Sequence, residues 1–487
     1  MGRSGMGLAL AATAAFLVLA ACRTSPDTAP AASDGAGAPP PADTVREGGD
    51  WPMFGYVPAR TSDGPAATGI TAANAGTLQR RQVQLPGTVD SSPIYLRQVT
   101  VGGAAHDVFV ATTTYGKTLA VDAATGAILW TFTPPGYDSW AGSRQITTAA
   151  PVADPDRQSV YAAAPDGQIR KLALADGHVV WATAITQLPA REKIASALNL
   201  DAGHVLAATG GYIGDAPPYQ GHVAVLDAQS GRLLSVWNSL CGDRHALIAP
   251  SSCPASGSAI WARRGVVVNP ADHRLLAATG NGRFDGQTDW GDSVVELAPD
   301  ASDLVGHYTP TDFQQLDDSD ADLGSAGPAL MAGGFLVQGG KDGKLRLIQL
   351  ARMAAGSAAT GGESQIVSTP GGDRLFSDPA VMGGSWLFVA DGAGTEAWQL
   401  TGGQLRKAWG NGNAGTSPVV AGGLLWVFDP GGSLRAYVPT TGALVATLPA
   451  GSGHWQSPIV SDGRVALAEG NANQHETRGI LDIYHLP

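Results

Sequence analysis

The stretch VDAATGAILW at 121–130 returns as LALADGHVVW at 172–181 and as LDAQSGRLLSVW at 226–237. Each copy contains a short apolar run, a turn with Gly, and a second run that ends in Trp. Before the first copy, DVFVAT at 107–112 adds one more apolar run. Short apolar runs separated by tight Gly turns are typical of antiparallel strands. The sequence therefore predicts a repeat of β-strands with a period of about fifty residues.

A further strand opens each unit, built on a small residue that is often followed by Pro. Eight openers can be counted: the run at 90–96, which ends in SPIYL, then TTAAPVA at 147–153, IASALNL at 194–200, SGSAIWA at 256–262, GSAGPALM at 324–331, FSDPAVM at 376–382, GTSPVVA at 415–421 and WQSPIVS at 455–461. Seven closing runs follow them: ILWTF at 128–132, VVWAT at 179–183, LLSVW at 233–237, LVGHY at 304–308, SQIVS at 364–368, LRKAW at 405–409 and LVATL at 444–448.

The missing closing run lies before the first opener, in TLQRRQVQLPG at 77–87, while the chain ends after the third-strand run GILDIYHL at 479–486. The two ends of the chain can thus complete one four-stranded sheet, and a ring closed in this way leaves few exposed strand edges. We predict an all-β, eight-bladed propeller of four-stranded antiparallel blades over residues 51–487.

Composition agrees with this architecture. The chain has 65 Gly and 32 Pro but only 15% charged residues, which favours turns and short strands over helices. Its formal net charge of −12 comes without any run of Lys and Arg, so the surface repels phosphate backbones. We therefore do not expect nucleic-acid binding.

The N-terminus predicts export and anchoring. One Arg and the apolar run LALAATAAFLVLAAC form a segment typical of a signal peptide, which we assign to residues 1–21. Its end, LAAC at 19–22, resembles the lipobox of bacterial lipoproteins, which implies that Cys22 is acylated and holds the protein to a membrane. In a Gram-negative host this points to the periplasmic face of the outer membrane, with surface display as an alternative. Residues 22–50, rich in Pro, Ala and Gly, would form a tether.

Two cysteines remain, Cys241 and Cys253, twelve residues apart in a segment with Pro and Gly. In an oxidising compartment a local disulfide is the favoured interpretation. A metal site is the alternative, although two thiols with one nearby imidazole, His245, make an incomplete zinc set.

The repeats resemble the tryptophan-docking repeats of PQQ-type (pyrroloquinoline quinone) propellers, and the entry segment WPMFGYVPARTSDG at 51–64 resembles the start of that superfamily's propeller. In that family an aromatic residue at the end of the outer strand packs between neighbouring blades and contacts the Gly turn of the next one. The resemblance assigns this docking role to Trp130, Trp181, Trp237 and Trp409, with Tyr308 as a substitute in one blade.

The superfamily contains two classes: quinoprotein dehydrogenases that hold PQQ and Ca²⁺ on the axis, and propellers that bind envelope proteins. The run at 256–282 resembles the dehydrogenase segment in which a Trp lies under PQQ and the Asn of a TGN turn ligates Ca²⁺. That implies Trp261 as a PQQ-binding residue and Asn281 as a metal ligand. The chemistry is suitable, because an indole face suits a flat quinone and an amide oxygen suits a hard cation. The alternative is a core Trp and a turn Asn.

The run at 308–328 resembles the segment that supplies the catalytic Asp. Asp320 is the best match, with Asp322 as the runner-up. Asp320 could instead be a cation ligand among the four carboxylates at 317, 318, 320 and 322, although the string lacks the Gly of an EF-hand. Solvated loop carboxylates are the third interpretation.

Three departures speak against the enzyme. The place of a Ca²⁺-ligating Glu falls to Tyr212 in the turn GGYIGD, no adjacent Cys pair occurs, and there is no C-x-x-C-H haem motif. Our hypothesis is a lipid-anchored envelope propeller that binds or scaffolds, with an envelope protein as partner and a degenerate quinone site. The alternative is a PQQ- and Ca²⁺-dependent alcohol or sugar dehydrogenase without haem.

Overall fold

The computed structural model describes residues 49–353 and 357–487. It contains eight four-stranded antiparallel sheets, each with its strands in chain order except where the ring closes, so the predicted propeller is confirmed. The signal peptide, Cys22 and all but the last two residues of the predicted tether lie outside the described residues. No described helix is long and apolar enough to cross a membrane.

The strands follow the predicted openers and closing runs. In chain order they are β1 (Gln79–Leu85); blade 1 with β2 (Ile94–Val101), β3 (Ala104–Thr112), β4 (Thr118–Asp122) and β5 (Ile128–Phe132); blade 2 with β6 (Val152–Ala153), β7 (Ser159–Ala163), β8 (Gln168–Ala173) and β9 (Val179–Ala184); β10 (Glu192–Lys193); blade 3 with β11 (Asn199–Asp201), β12 (His204–Ala208), β14 (His222–Asp227) and β15 (Leu233–Asn238), interrupted by β13 (Gly210–Gly211), which pairs with β10; and blade 4 with β16 (Val267–Val268), β17 (Leu275–Ala278), β18 (Val294–Leu297) and β19 (Leu304–Tyr308).

The second half of the ring has the same order. It comprises blade 5 with β20 (Ala329–Met331), β21 (Phe335–Gly339), β22 (Lys344–Gln349) and β23 (Gln365–Ser368); blade 6 with β24 (Ala380–Met382), β25 (Trp386–Ala390), β26 (Thr395–Thr401) and β27 (Gln404–Asn411); blade 7 with β28 (Thr416–Ala421), β29 (Leu424–Asp429), β30 (Ser433–Tyr437) and β31 (Leu444–Pro449); and blade 8 with β32 (Ile459–Ser461), β33 (Arg464–Glu469), β34 (Gly479–His485) and β1.

Helix is confined to short connections. The one α-helix among the described residues is α1 (Phe313–Asp318), between blades 4 and 5. Single 3₁₀ turns cover Ala75–Thr77, Tyr137–Ser139, Pro250–Ser252, Leu323–Ser325, Ala332–Gly334, Leu350–Arg352, Pro370–Gly372 and Ala472–Gln474.

The ring closes through blade 8, as predicted. Strand β1 pairs antiparallel with β34, with Gln79 opposite His485 and Leu85 opposite Gly479. Arg80 of β1 pairs with Asp482 of β34 at 2.8 Å and with Glu469 of β33. Both termini of the propeller thus cover each other's backbone edges inside one sheet.

The indoles that end the outer strands reach the turn of the following blade. Gly177, Gly231 and Gly442, all at positive φ, lie so close to Trp130, Trp181 and Trp409 that a Cβ atom would come within 2.4–2.6 Å of the ring. The indole N–H groups of these three donate to the carbonyls of Leu174, Ala228 and Pro439, the bond from Trp130 being 2.8 Å long. Glycine is required at these turns because of both the backbone angle and the close approach.

Blade 4 departs from this pattern. Its turn has no Gly; Ala301 adopts positive φ there and packs in the same cluster as Trp237. Trp237 is fully buried, but its indole N–H has no partner among the described residues. Docking by burial alone is therefore enough at this interface, since a buried aromatic side chain contributes a large apolar area.

First strands of neighbouring blades lie against one another and line the axis. Because each blade is antiparallel, the turns between second and third strands lie at the same end of the axis as the connections between blades. We call this end the mouth. We call the opposite end, where first strands turn into second strands, the plugged end.

Residues 49–64, the entry segment, close the plugged end. Their backbone bonds to first strands of seven of the eight blades: Tyr95 of β2, Ala153 of β6, Asn199 of β11, Val268 of β16, Val381 of β24, Val420 of β28 and Ser461 of β32. The segment also inserts a fully buried side chain, Arg60, which donates to the carbonyls of Phe54, Leu198 and Ala197. Any ligand of the axis therefore enters from the mouth.

Candidate functional site

The mouth is uneven around the ring. The connections from β12 to β14 and from β17 to β18 run over residues 209–221 and 279–293, whereas their counterparts in blades 5, 6 and 7 cover only 340–343, 391–394 and 430–432. A disulfide joins Cys241 and Cys253, as predicted, so these thiols are not free to bind zinc. It closes a loop that bonds to the second long connection, with Cys241 N–H donating to Asp289 at 3.2 Å.

Three residues singled out in the sequence meet at this mouth. The side-chain amide of Asn281 donates to Asp320 at 2.9 Å, and its backbone N–H donates to Asp322 at 2.7 Å. Lys341, from the turn between β21 and β22, holds both carboxylates: its ammonium is 2.9 Å from Asp320 and also pairs with Asp322. The same ammonium lies over the ring of Trp261, 5.4 Å from the centroid.

Local backbone features explain this arrangement. Helix α1 ends at Asp318, and Asp320 then adopts positive φ, which Asp tolerates better than most residues. Gly280 lies so close to the Asp322 carboxylate that a Cβ atom would come within 2.1 Å of Oδ1. Asp322 is buried, whereas Asp320 is exposed. Burial lowers the pKa of Lys341, but Asp322 and Asp320 raise it above its ordinary value. The lysine is therefore cationic.

Tyr212 belongs to a different cluster. Its hydroxyl donates to the carbonyl of Pro189 at 2.8 Å, and its ring packs with Tyr115 and Trp140. The carboxylate of the same loop is Asp215, which the sequence analysis did not consider. Burial, and then the charges of Asp322 and Asp320, raise the pKa of Asp215.

An aromatic wall accompanies the acid cluster. Phe376 and Trp455 stack at 5.1 Å with ring planes 7° apart, and both face Trp261 at 6.3 and 6.0 Å in tilted geometry. We call Trp261, Phe376 and Trp455 the aromatic wall. Two cations flank it, Lys341 at Trp261 and Arg263 at Trp455, the latter 5.3 Å from the ring centroid.

The sequence analysis missed Phe376, Trp455 and Lys341. A signal existed for the two aromatic residues, because each is the first residue of an opener, FSDPAVM and WQSPIVS, and openers lead into the axis. Lys341 had no signal beyond its place in a short Gly turn, since its partners belong to another blade's connection.

A further buried acid, Asp292, lies near Asp322. Its side chain is fully buried, and Oδ1 accepts the N–H of Leu323 at 2.9 Å while Oδ2 has no partner among the described residues. Burial raises the pKa of Asp292 to about 8, although the bond from Leu323 opposes this, and the nearby Asp322 raises it further. Asp292 is therefore a neutral acid at neutral pH.

The residues present suit a planar ring better than a divalent cation. The side-chain oxygen of Asn281 is buried without a partner, as a metal ligand would be, but the carboxylates of Asp320 and Asp322 already neutralise Lys341. No group of three or more His, Cys, Asp or Glu among the described residues is arranged to hold a metal. Asp317 and Asp318, the other carboxylates of the predicted string, belong to α1. Ca²⁺ does not fit this set as it stands.

Comparisons with known proteins agree with the architecture. A family model described as outer membrane protein assembly factor BamB matches residues 71–245. The fold resembles a quinohemoprotein alcohol dehydrogenase from Comamonas testosteroni with a TM-score of 0.69 at 16% identity, over 91% of this chain and 81% of that one. A europium-containing methanol dehydrogenase gives 0.66 at 17% identity, over 91% of this chain and 99% of that one.

BamB from Moraxella catarrhalis gives a TM-score of 0.52 at 13% identity, over 84% of this chain and 98% of that one. No curated protein sequence matches the chain. At these identities the likeness concerns the fold, and it includes both enzymes and an assembly factor.

Proposed function

We propose that this chain, which resembles the PQQ-type propellers in its repeats and fold, is a binding or scaffolding module of the cell envelope, with an axial pocket that takes a planar ligand without Ca²⁺. The observation that supports this most is Lys341. Its ammonium pairs with both carboxylates to which the resemblance assigns base or cation chemistry. A built-in ammonium supplies one of the two positive charges that a divalent cation would supply.

The planar ligand is supported by the aromatic wall. Three rings from three different blade connections converge on one mouth, and two cations lie over their faces. Aromatic faces bind flat rings by stacking. Because the entry segment closes the plugged end, a ligand of the axis would enter and leave through the mouth, which suits binding better than passage.

The alternative function is a PQQ-dependent dehydrogenase. It is favoured by the fact that Trp261, Asn281 and Asp320, which come from separate segments, gather at one place, with a buried and unpartnered amide oxygen on Asn281. PQQ, when bound, would supply the hydride acceptor. Asp320 would take a proton from a substrate through Oδ2, since Lys341 and Asn281 bind its Oδ1.

A titration of the purified full-length protein with PQQ separates the two functions. We expect PQQ to quench tryptophan fluorescence equally in CaCl₂ and in EGTA, and we expect no reduction of an artificial electron-acceptor dye with alcohols or sugars. Trp261→Ala should remove most of the quenching. Trp386→Ala, on β25 and away from the mouth, is the matched control and should bind like the parent.

Tight binding that requires Ca²⁺, together with dye reduction that Asp320→Asn abolishes, would establish the dehydrogenase instead. Absence of any PQQ binding would leave a scaffold without this pocket function, and the planar-ligand proposal would be wrong.

We further propose that Cys22 anchors the propeller to the envelope, on the periplasmic side of the outer membrane, where an envelope protein is its partner. The LAAC sequence supports the anchor. Cys22→Ser should move the protein from the membrane fraction to the soluble fraction and abolish labelling by a palmitate analogue. Labelling that persists in Cys22→Ser would contradict the lipobox interpretation.

A further inference from the structure

A buried Asp–His pair lies beside the aromatic wall. Asp90, fully buried between β1 and β2, accepts a hydrogen bond from the Nδ1 of His454 at 2.8 Å. The same carboxylate pairs with Arg263 at 2.8 Å and accepts the backbone N–H of Ala472 at 2.9 Å. These partners come from four different segments, so the ring itself assembles the pair.

The environment keeps Asp90 ionised. Burial alone would raise its pKa, but Arg263 and then His454 lower it well below the ordinary value. A fixed carboxylate at Nδ1 holds the imidazole proton on that nitrogen and leaves Nε2 as an acceptor. This is the arrangement by which a buried carboxylate orients a histidine base and stabilises the imidazolium that forms.

The free nitrogen belongs to a ring that contacts the aromatic wall. The His454 ring stacks on Trp455 with centroids 3.7 Å apart, and its side chain is 15% exposed. Within the part of the chain that the structure describes, Nε2 has no hydrogen-bond partner. Asp320, by contrast, is already bound to Lys341 and Asn281. Those contacts use only Oδ1 of Asp320, whose side chain is 67% exposed, whereas the His454 side chain is 15% exposed and stacked on Trp455.

We propose that the Asp90–His454 pair is the proton acceptor of the axial pocket, and that the ligand is a planar aromatic compound with a dissociable hydroxyl group. This inference rests on the proposed function, because it uses the same aromatic wall. The O–H bond of the ligand breaks, the proton passes to Nε2, and the electron pair stays on the ligand oxygen. Imidazolium and oxyanion are the products, with no other reactant.

The surrounding charges suit both products. Asp90 lies behind the imidazolium, and Arg263 lies over the Trp455 ring, 5.3 Å from its centroid. Burial, and then the charge of Arg263, lower the pKa of Lys193 to about 7, although Asp90 opposes this, so Lys193 is only partly cationic at neutral pH. The charge of Arg263 would stabilise an anionic hydroxyarene at this place relative to its neutral form, although Asp90 already pairs with Arg263.

A coloured phenol tests the inference in the full-length protein. 4-Nitrophenol reports binding through quenching of tryptophan fluorescence and reports ionisation through the absorbance of its phenolate. At a pH where the free probe is mostly neutral, we expect the bound probe to be mostly ionised. His454→Gln should keep the quenching but lower the ratio of ionised to neutral bound probe at least tenfold.

His178→Gln is the matched control. His178 also pairs with a carboxylate, Asp176, at 2.6 Å, but both side chains are 64% exposed. This variant should ionise the bound probe like the parent. Should His454→Gln fail to fold, carbethoxylation of His454 in the parent, mapped by mass spectrometry, blocks the same nitrogen and should remove the phenolate signal.

Equal ionisation in the parent and in His454→Gln would overturn the inference. So would binding of the probe in neutral form. If nitrophenol does not bind while PQQ does, the hydroxyarene inference fails and the proposed function stands. If neither compound binds, both fail.

Discussion

Buried charged and polar groups differ in their hydrogen-bond partners at the two ends of the propeller axis. At the plugged end, the fully buried guanidinium of Arg60 gives hydrogen bonds to three backbone carbonyls through its terminal nitrogens, while its Nε has no partner among the described residues. At the mouth, the buried acid Asp292 has one oxygen without a partner among the described residues, and the Asn281 side-chain oxygen is likewise unpartnered.

The difference separates stability from function. Buried charged groups whose terminal atoms are hydrogen-bonded stabilise a structure, because removing one leaves its partners unsatisfied. Polar groups that are buried and unpartnered cost stability and persist where they contact a ligand. We therefore expect substitutions at the plugged end to change stability alone, and substitutions at the mouth to change binding.

The largest effect is expected for Arg60→Ala. It leaves three carbonyls without donors and a cavity at the crossing of seven blades, and loss of one partner from a buried charged network costs about 3–5 kcal/mol. Urea unfolding should show this loss, whereas quenching by PQQ in the folded fraction should be unchanged. Arg97→Ala, an exposed arginine on the same end with a side chain 43% exposed, should cost little. Equal losses of stability in Arg60→Ala and Arg97→Ala would contradict a stabilising role of the buried Arg60 side chain.

The next prediction, for Asp292→Asn, is a gain in the free energy of unfolding. With its pKa near 8 in the folded protein, Asp292 keeps a proton that the unfolded chain loses near pH 4. Its contribution to stability is therefore complete below about pH 4 and declines as the pH rises toward about 8. Asn has no carboxyl group to ionise, so Asp292→Asn should raise the free energy of unfolding by on the order of 2 kcal/mol at pH 8.

The gain from Asp292→Asn should shrink as the pH falls toward about 4.5. Asp303→Asn, at an exposed position in the same blade, should show no such trend. A gain that does not depend on pH would mean that Asp292 is ionised in the folded protein.

How far the sequence predicts this molecule differs between the ring and its mouth. The repeat pattern predicts the blades and the closure through β1 and β34, because strand patterns and turn residues are local, and the short spacing of the two remaining cysteines predicts the disulfide. It misses that Ala301 replaces a docking Gly at Trp237, since burial of the indole compensates there.

The mouth is less predictable because its residues come from separate blades. The resemblance selected Trp261, Asn281 and Asp320, which the ring brings together, but it gave no indication that Lys341 would neutralise Asp320. Tyr212 was expected beside Asn281 from its place in the turn, yet its hydroxyl bonds to Pro189. Side-chain direction in a long connection depends on contacts that only the assembled ring defines.

A smaller effect on stability, with a clear effect on binding, is expected for Lys341→Gln. Asp322 is buried and loses its counter-charge, which costs about 1–3 kcal/mol. Two carboxylates and the Asn281 oxygen then become available to a hard cation. Terbium luminescence excited through Trp261 should report binding at least tenfold tighter than in the parent. Lys344→Gln, whose lysine is 2.7 Å from Asp312, is the control and should leave terbium binding unchanged.

The smallest effect is expected at Tyr212. It tests whether Tyr212 belongs to a cluster separate from Asn281, as its contacts indicate. Tyr212→Phe removes one hydrogen bond, to the carbonyl of Pro189, and should cost about 1 kcal/mol. Tyr212→Glu places a carboxylate in the cluster with Tyr115 and Trp140, so it should lower stability without strengthening terbium binding, even when combined with Lys341→Gln. Tighter terbium binding in that double variant would mean that residue 212 reaches Asn281, and the mouth would then be one substitution closer to a metal site than its contacts indicate.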